Sequence, residues 1–250
     1  MDASLYPMIF KRKSFHTFRS IERPLSSEEL SALREAFAGF EPLIPDIRVG
    51  LRIVSTKEKP FKRDAEYCVL LYSEKKEGWL QNLGYLGQQL DLWLAANDIG
   101  CVWYGLGKTD LAQWDGLDFG IMLAIAKATP DSFRKDMFKA KRKPMDDLRS
   151  GEGYDEILNI ARFAPSACNS QPWFVECHGS TLDIFREKTP KHHGIFPVAA
   201  LRYFNQIDLG IFLCILELCL QNADIPFRRT LYPETENGNL LLNARYELTK

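Results

Sequence analysis

Apolar residues recur along the chain at two rhythms, one near 3.6 residues and one in short continuous runs, so the sequence predicts helices interleaved with strands. Ser26-Ser27-Glu28-Glu29 reads as a capping box: a serine oxygen accepts a free N–H while Glu29 reaches back. The helix it opens carries Leu30, Leu33 and Phe37 at helical spacing and should end near Gly39, before the loop marked by Pro42 and Pro45. Residues 49–55 and 67–72 read as strands. A long helix is expected between 79 and 98, with Leu83, Leu86, Leu90 and Leu94 on one face and Gly84 and Gly87 allowing close packing. Strands should follow at about 101–105 and 120–128.

Residues 131–151 change character. Basic residues, Pro144, an acidic patch and Gly151-Glu152-Gly153 suggest an extended connector. The pattern then restarts with a helix at about 154–164, strands at about 173–178 and 181–186, and a long helix at about 206–223. Written without gaps, Leu83-Gly84 matches Leu209-Gly210, Leu90-Asp91-Leu92 matches Leu216-Glu217-Leu218, Leu94 matches Leu220, and Asp98-Ile99 matches Asp224-Ile225. Leucines recur by chance in any two amphipathic helices, so the glycine, acidic and Asp-Ile matches carry the reading of an internal repeat. The halves, 1–150 and 151–250, are each too small for an independent core and are expected to be intertwined as one globular unit with an α+β architecture.

Composition narrows the possibilities. A chain of 250 residues, 46% hydrophobic, can bury a sizeable core without disulfides or a structural metal. With 32 basic against 33 acidic residues, nothing invites nucleic acid or an anionic membrane as a partner. The six cysteines form no Cys-x-x-Cys pair and the histidines offer no zinc spacing, so reduced, buried thiols and a cytoplasmic setting are expected, with no metal. No charged segment followed by an apolar core opens the chain, which argues against a signal peptide. The most apolar run, Ile211 to Leu220, contains Glu217 and is half the length a bilayer requires, so a buried helix is expected there.

Two segments carry candidate chemistry. Lys11-Arg12-Lys13-Ser14-Phe15-His16 offers a guanidinium and a hydroxyl suited to phosphate oxygens, although basic residues near a terminus are commonly a solvated face. In Ala164-Pro165-Ser166-Ala167-Cys168-Asn169-Ser170-Gln171-Pro172-Trp173, three polar side chains fall within a few residues. Their amides suit the edge of a uracil-like ring, and the same residue types also build an ordinary helix-to-strand turn.

The second segment resembles the A-P-S-x-x-N-x-Q-P-W signature of FMN-dependent nitroreductases, and Arg12-Lys13-Ser14 is similar to the R-x-S that opens those proteins. Arg142-Lys143-Pro144 resembles the basic segment where they end, and Trp103-Tyr104-Gly105-Leu106-Gly107 resembles a turn near their flavin N5. The nearest likeness is to nitroreductases whose single chain looks like a fused dimer, which implies a nitroreductase-like fold of mainly antiparallel sheets with packed helices and two repeated halves forming a pseudo-dimer.

The resemblance implies that Arg12 and Ser14, with Lys13 beside them, hold the FMN phosphate and that Arg142 adds charge there. It implies that Pro165, Ser166 and Asn169 line the flavin, that Gln171 supports the turn, and that backbone N–H groups around Gly105, Leu106 and Gly107 face N5. His16 stands where relatives usually carry Arg or Lys, so its charge, and with it the flavin potential, should follow pH. The first half has Gly39-Phe40-Glu41-Pro42 where its Ser/Asn turn should be, and the second half has the turn without an R-x-S before it. One complete site and one FMN per chain are therefore expected, in a monomer acting as a pseudo-dimer.

The implied activity is electron transfer from NAD(P)H, through FMN, to a nitroaromatic, quinone or similar planar small molecule, with no catalytic side chain because the flavin carries the chemistry. The alternative is an FMN- or planar-ligand-binding protein without turnover. Weaker candidates are Gly-x-Gly at 105–107 and 151–153, His192-His193 beside Lys191, the Asp146-Asp147 pair, and Cys168, which has no evident histidine partner.

Overall fold

The structure is a computed structural model that describes residues 1–18, 23–57, 64–105, 107, 109–189, 197–234 and 238–249. His192 and His193 lie outside the described residues. The chain divides into two compact units, Met1–Met137 and Phe138–Lys250.

The first unit begins with a one-turn helix α1 (Met8–Lys11) and then α2 (Ser27–Ala38). The capping box forms as the sequence predicts: Glu29 N–H donates to Ser26 Oγ at 3.2 Å and Ser26 N–H donates to the Glu29 carboxylate at 2.9 Å. Gly39 ends the helix. Strands β1 (Val49–Ser55) and β2 (Tyr67–Ser73) precede α3 (Trp79–Ala96), and β3 (Ile99–Trp103), β4 (Gln113–Trp114) and β5 (Leu117–Lys127) follow. The sheet runs β1-β2-β5-β3, with β4 paired to β5 and every pair antiparallel.

Leu83, Leu86, Leu90 and Leu94 are each no more than 1% exposed, and burying each stabilises the fold by roughly 1.5–3 kcal/mol. A Cβ added at Gly87 would come within 2.5 Å of the Trp103 ring and 3.1 Å of Leu71, so this glycine lets α3 lie close against β2 and β3. Side chains alternate along β2. Leu70 and Tyr72 therefore join a separate apolar cluster with Phe15, Phe18, Val102 and Met122.

The second unit contains β6 (Arg149–Ser150), α4 (Asp155–Ala161), β7 (Trp173–His178), β8 (Thr181–Glu187), α5 (Val198–Asn222), β9 (Phe227–Leu231) and β10 (Leu240–Leu248). Its sheet runs β6-β7-β8-β10-β9, antiparallel except for the parallel pair β6–β7. The residues read from sequence as an extended connector are partly structured. Met137 and Leu148 are buried, Met145–Asp147 form a 3₁₀ turn and Arg149–Ser150 pair with β7. Sparse apolar anchors among charges conceal this order from periodicity.

Helix α5 starts at Val198, earlier than the periodicity predicts. It is long and apolar enough to cross a bilayer by length and composition, but most of it is buried inside the protein. Its Glu217 accepts a hydrogen bond from Tyr246 Oη at 2.6 Å and pairs with Arg229, as suits a core helix. Strands β9 and β10 are not evident from sequence: β9 has no buried position, half-buried residues alternating with the exposed Arg228 and Thr230, and a register shift between Leu242 and Ala244 breaks the alternation of β10.

Apart from β4 and β6, both sheets follow one course, since β1-β2-β5-β3 and β7-β8-β10-β9 occupy the same places in chain order. Asp98 and Asp224, which match in the ungapped alignment, both adopt positive φ, 55° and 52°. The mixed α+β arrangement with mainly antiparallel sheets is the one the sequence predicts.

Because Gly87 sits under an indole ring that has little room to move, Gly87→Val should destabilise the protein by about 1–3 kcal/mol. Urea unfolding followed by tryptophan fluorescence measures this. An unchanged midpoint would show that the α3–Trp103 approach is not close-packed.

Candidate functional site

In the first unit, α1 ends at Lys11 and the chain turns extended at Arg12. Phe15 N–H donates to Cys101 O at 2.9 Å, and Ser14 bridges Cys101 in parallel, which lays the basic opening beside β3. Arg12 is only 4% exposed. Its Nε lies 3.1 Å from Oδ2 of Asp91, a buried carboxylate of α3, and its Nη2 donates to Ser14 Oγ at 3.2 Å. Trp103 Nε1 donates to the same Asp91 oxygen at 3.1 Å. Burial pushes the Asp91 carboxyl up while Arg12, Trp103 and Cys101 pull it down.

Arg134, which sequence reasoning missed, belongs to the same place. Its backbone N–H donates to Lys11 O at 3.0 Å. Burial, and next the positive charge of Arg12, hold its guanidinium below the ordinary arginine value, with Asp91 acting in the opposite direction. The Arg134 guanidinium is thus within electrostatic reach of Arg12 and Asp91, while Arg12 is the one that bonds the Ser14 hydroxyl. The neighbouring lysines are differently engaged: Lys11 pairs with Asp98 at 2.8 Å, and Lys13 lies 4.7 Å over the Phe15 ring. His16 is exposed.

The turn after β3 belongs to this unit as well. Tyr104 N–H donates to Met122 O at 2.8 Å and Gly107 N–H to Tyr104 O at 3.0 Å. A Cβ at Gly107 would lie 2.7 Å from Met122 Sδ, so only glycine fits there. Gly105 is half-buried in the turn, and Leu106 lies outside the described residues.

In the second unit, the 164–173 segment forms a strained turn. Cys168, Asn169 and Gln171 all have positive φ, 51°, 55° and 47°, a conformation that costs non-glycine residues energy unless the surroundings enforce it. Enforcement comes from polar ties. Gln171 N–H donates to Ser166 Oγ at 3.0 Å, and Gln171 Nε2 donates to Asn169 O at 3.0 Å. The 141–143 segment is bound to the same turn: Lys143 N–H donates to Gln171 Oε1 at 2.8 Å and Arg142 Nη1 to Asn169 Oδ1 at 3.0 Å. Asn169 Nδ2 returns a bond to Lys141 O at 3.1 Å, and Arg142 Nη2 reaches Phe163 O at 2.9 Å. Arg142, Ser166, Asn169 and Gln171 are therefore brought together, with Pro165 buried behind them. The Asn169 and Gln171 amides, read as ring-edge groups, spend their polar atoms on this framework. Of the six cysteines, expected to be buried, Cys168 is exposed, and the other five are buried.

Two further residues anchor the turn from α5. Both Asp208 carboxylate oxygens lie 3.0 Å from the Ala167 N–H, and Ser170 Oγ donates to Asn205 Oδ1 at 3.2 Å. The signal available in sequence was a polar residue in an otherwise apolar helix just before Leu209-Gly210. Asn82, at the matching place in α3, accepts the Ile44 N–H at 3.0 Å.

Burial raises the Asp208 carboxyl well above its ordinary value, against the Ala167 N–H and the Ser170 hydroxyl. Since the folded value exceeds the unfolded one, Asp208 supports folding below its unfolded-state pKa and withdraws that support as pH rises through the folded one. Asp208→Asn keeps an acceptor and loses the titration, so its Tm should fall less than the parent's as pH is raised above the ordinary carboxyl range. Parallel declines of the two would contradict this.

These features can be set beside known proteins. Residues 4–220 match the family described as "Putative TM nitroreductase". Among solved structures, a nitroreductase of Thermotoga maritima MSB8, described as putative, is 17% identical with a TM-score of 0.61 and covers 98% of this chain and 93% of its own. An NADH dehydrogenase/NAD(P)H nitroreductase of Parabacteroides distasonis, also described as putative, is 15% identical with a TM-score of 0.45, covering 60% of this chain and 99% of its own. A Desulfovibrio desulfuricans nitroreductase solved with FMN is 18% identical with a TM-score of 0.43, covering 62% and 99%. No curated protein matches the chain. The family match spans most of the sequence, and the chain belongs to this nitroreductase family.

Proposed function

We propose that this protein is an FMN-dependent oxidoreductase that passes reducing equivalents from NAD(P)H to a planar electrophile such as a nitroaromatic or a quinone. The observation that supports the reading is the arrangement at Arg12: its guanidinium is buried against Asp91 and bonds the Ser14 hydroxyl, and Arg134 lies within electrostatic reach. A phosphate monoester carries negative charge and accepts charge-assisted bonds from guanidiniums. The residues present thus fit the phosphate end of FMN.

When bound, FMN would supply the two-electron redox chemistry. The chain's own residues hold and orient it. Arg12 and Arg134 would bring positive charge to the phosphate, and Ser14, which accepts from Arg12, would donate its hydroxyl hydrogen to it. The Pro165–Gln171 turn, locked by its internal bonds, presents a fixed wall to a planar ring. Arg142, engaged by Asn169 and three main-chain carbonyls, acts here as a clamp on that turn. His16, exposed behind Ser14, brings a charge that follows pH.

The sequence carries each of these motifs once. The first unit has the basic opening but Gly39-Phe40-Glu41-Pro42 in place of the Ser/Asn turn, and the second has the turn alone. The shared strand order, the paired Asp98 and Asp224 conformations and the matching Asn82 and Asp208 anchors support a duplicated, pseudo-dimeric origin of the halves 1–150 and 151–250. A monomer working in the cytoplasm suits this reading.

The purified protein should be yellow and should bleach when NAD(P)H is added anaerobically. A yellow protein that resists bleaching would make it a flavin-binding module without turnover, and a colourless one that ignores added FMN would end the flavin reading. Arg134→Ala should weaken FMN binding tenfold or more, as expected for loss of a charge-assisted bond of about 1.5–3 kcal/mol, with little change in Tm. Unchanged affinity, measured by flavin fluorescence quenching, would remove Arg134 from the phosphate site.

A further inference from the structure

The two units carry the same groove in two states. In the second unit, the space between α4, β7 and α5 is filled: Met145 and Leu148 insert into it, and only about 10 Å³ of cavity remains beside Trp173, Val175 and Phe212. The chain that fills it continues as β6, adding a parallel strand to β7, and Val175 N–H donates to Leu148 O at 2.9 Å. Leu148 is buried there.

In the first unit, the space between α2, β1 and α3 is a cavity of about 430 Å³ lined by Phe37, Val49, Leu51 and Leu86. Leu86 matches Phe212 in the ungapped alignment that pairs Leu83 with Leu209. Val49 and Leu51 stand in β1 where Trp173 and Val175 stand in β7, two residues apart on one face and paired in register with Ser73 and Leu71. Among the described residues, β1 pairs with β2 alone, which leaves its other edge without a strand in the place β6 takes beside β7. Arg34 is the one charged side chain among the described lining residues, and no carboxylate accompanies it.

We propose that this groove and the outer edge of β1 form a docking site for an extended polypeptide segment that adds a strand parallel to β1. The filled groove defines the chemistry of the occupant. It carries two aliphatic side chains three residues apart, as Met145 and Leu148 are, which enter the cavity between α2 and α3. Acidic residues between them, as Asp146 and Asp147 are, face Arg34. The strand that follows gives main-chain hydrogen bonds to the β1 edge, with the Leu51 N–H in the role of the Val175 N–H. Strand addition of this kind takes its affinity from the backbone and its specificity from the pockets. The proposal does not depend on the flavin reading.

The test uses the full chain and a fluorescein-labelled peptide copied from Arg142–Glu152. Fluorescence anisotropy should show saturable binding of one peptide per chain. A peptide carrying Asp at the positions of Met145 and Leu148 should bind at least tenfold more weakly to the same unaltered protein, and Leu51→Glu in the protein should weaken the parent peptide at least tenfold. Absence of saturable binding, or equal binding of the two peptides, would overturn the proposal. Undiminished binding to Leu51→Glu would do so as well, because the peptide would then be displacing its own copy from the second unit. Sedimentation velocity supplies the remaining outcome: self-association that Leu51→Glu abolishes and the peptide does not compete with would assign the groove to a second copy.

Discussion

A carboxylate buried in a helix has to be paired, and the pairing of Asp91 organises the first unit. An isolated ion there would cost several kcal/mol after relaxation, so Asp91 draws Arg12 into the interior and takes the Trp103 indole N–H as a second partner. The indole can lie that close to α3 because position 87 has no side chain. Arg12 in turn ties down the segment that contains Ser14 and lies against β3. Arg134 is within electrostatic reach of the same pair.

The second unit solves the same problem differently. Asp208 in α5 has Ala167 N–H and Ser170 as partners, and Glu217 has Arg229 and Tyr246. Asp208 secures a turn whose left-handed residues would otherwise relax. The 141–143 segment closes that turn from the other side through Arg142 and Lys143. The two units thus carry polar anchors at matching helix positions, Asn82 and Asp208, while the segments they hold differ. One groove is closed by Met145 and Leu148, and the cavity of the first unit is open.

Much of this was legible in the sequence, because local rules govern it. The capping box at Ser26, the leucine face of α3 and the helix-stopping Gly39 each depend on residues within a turn or two, and each formed where predicted. The motif residues of the 164–173 turn were recognisable, but their contacts were not. Asn169 and Gln171 look from sequence like ligand-facing amides, and only the fold reveals that Arg142 and Lys143 occupy them. Arg134 was hidden because its partner charges, Arg12 and Asp91, lie far away in the chain. Strand β10 was hidden because a bulge near Asn243 interrupts its alternation. The order around Leu148 was hidden because strand pairing, and not local periodicity, defines it.

The central claim is that the chain binds one flavin, with its phosphate held at Arg12 and Ser14. The most direct measurement is the number of FMN molecules bound per chain, from the visible absorbance of the saturated protein against its concentration by amino-acid analysis. The account predicts one. A value of two would mean that the first unit's altered turn still serves a second site, and a value of zero would mean that the positive charge at Arg12 and Arg134 answers to a different anion.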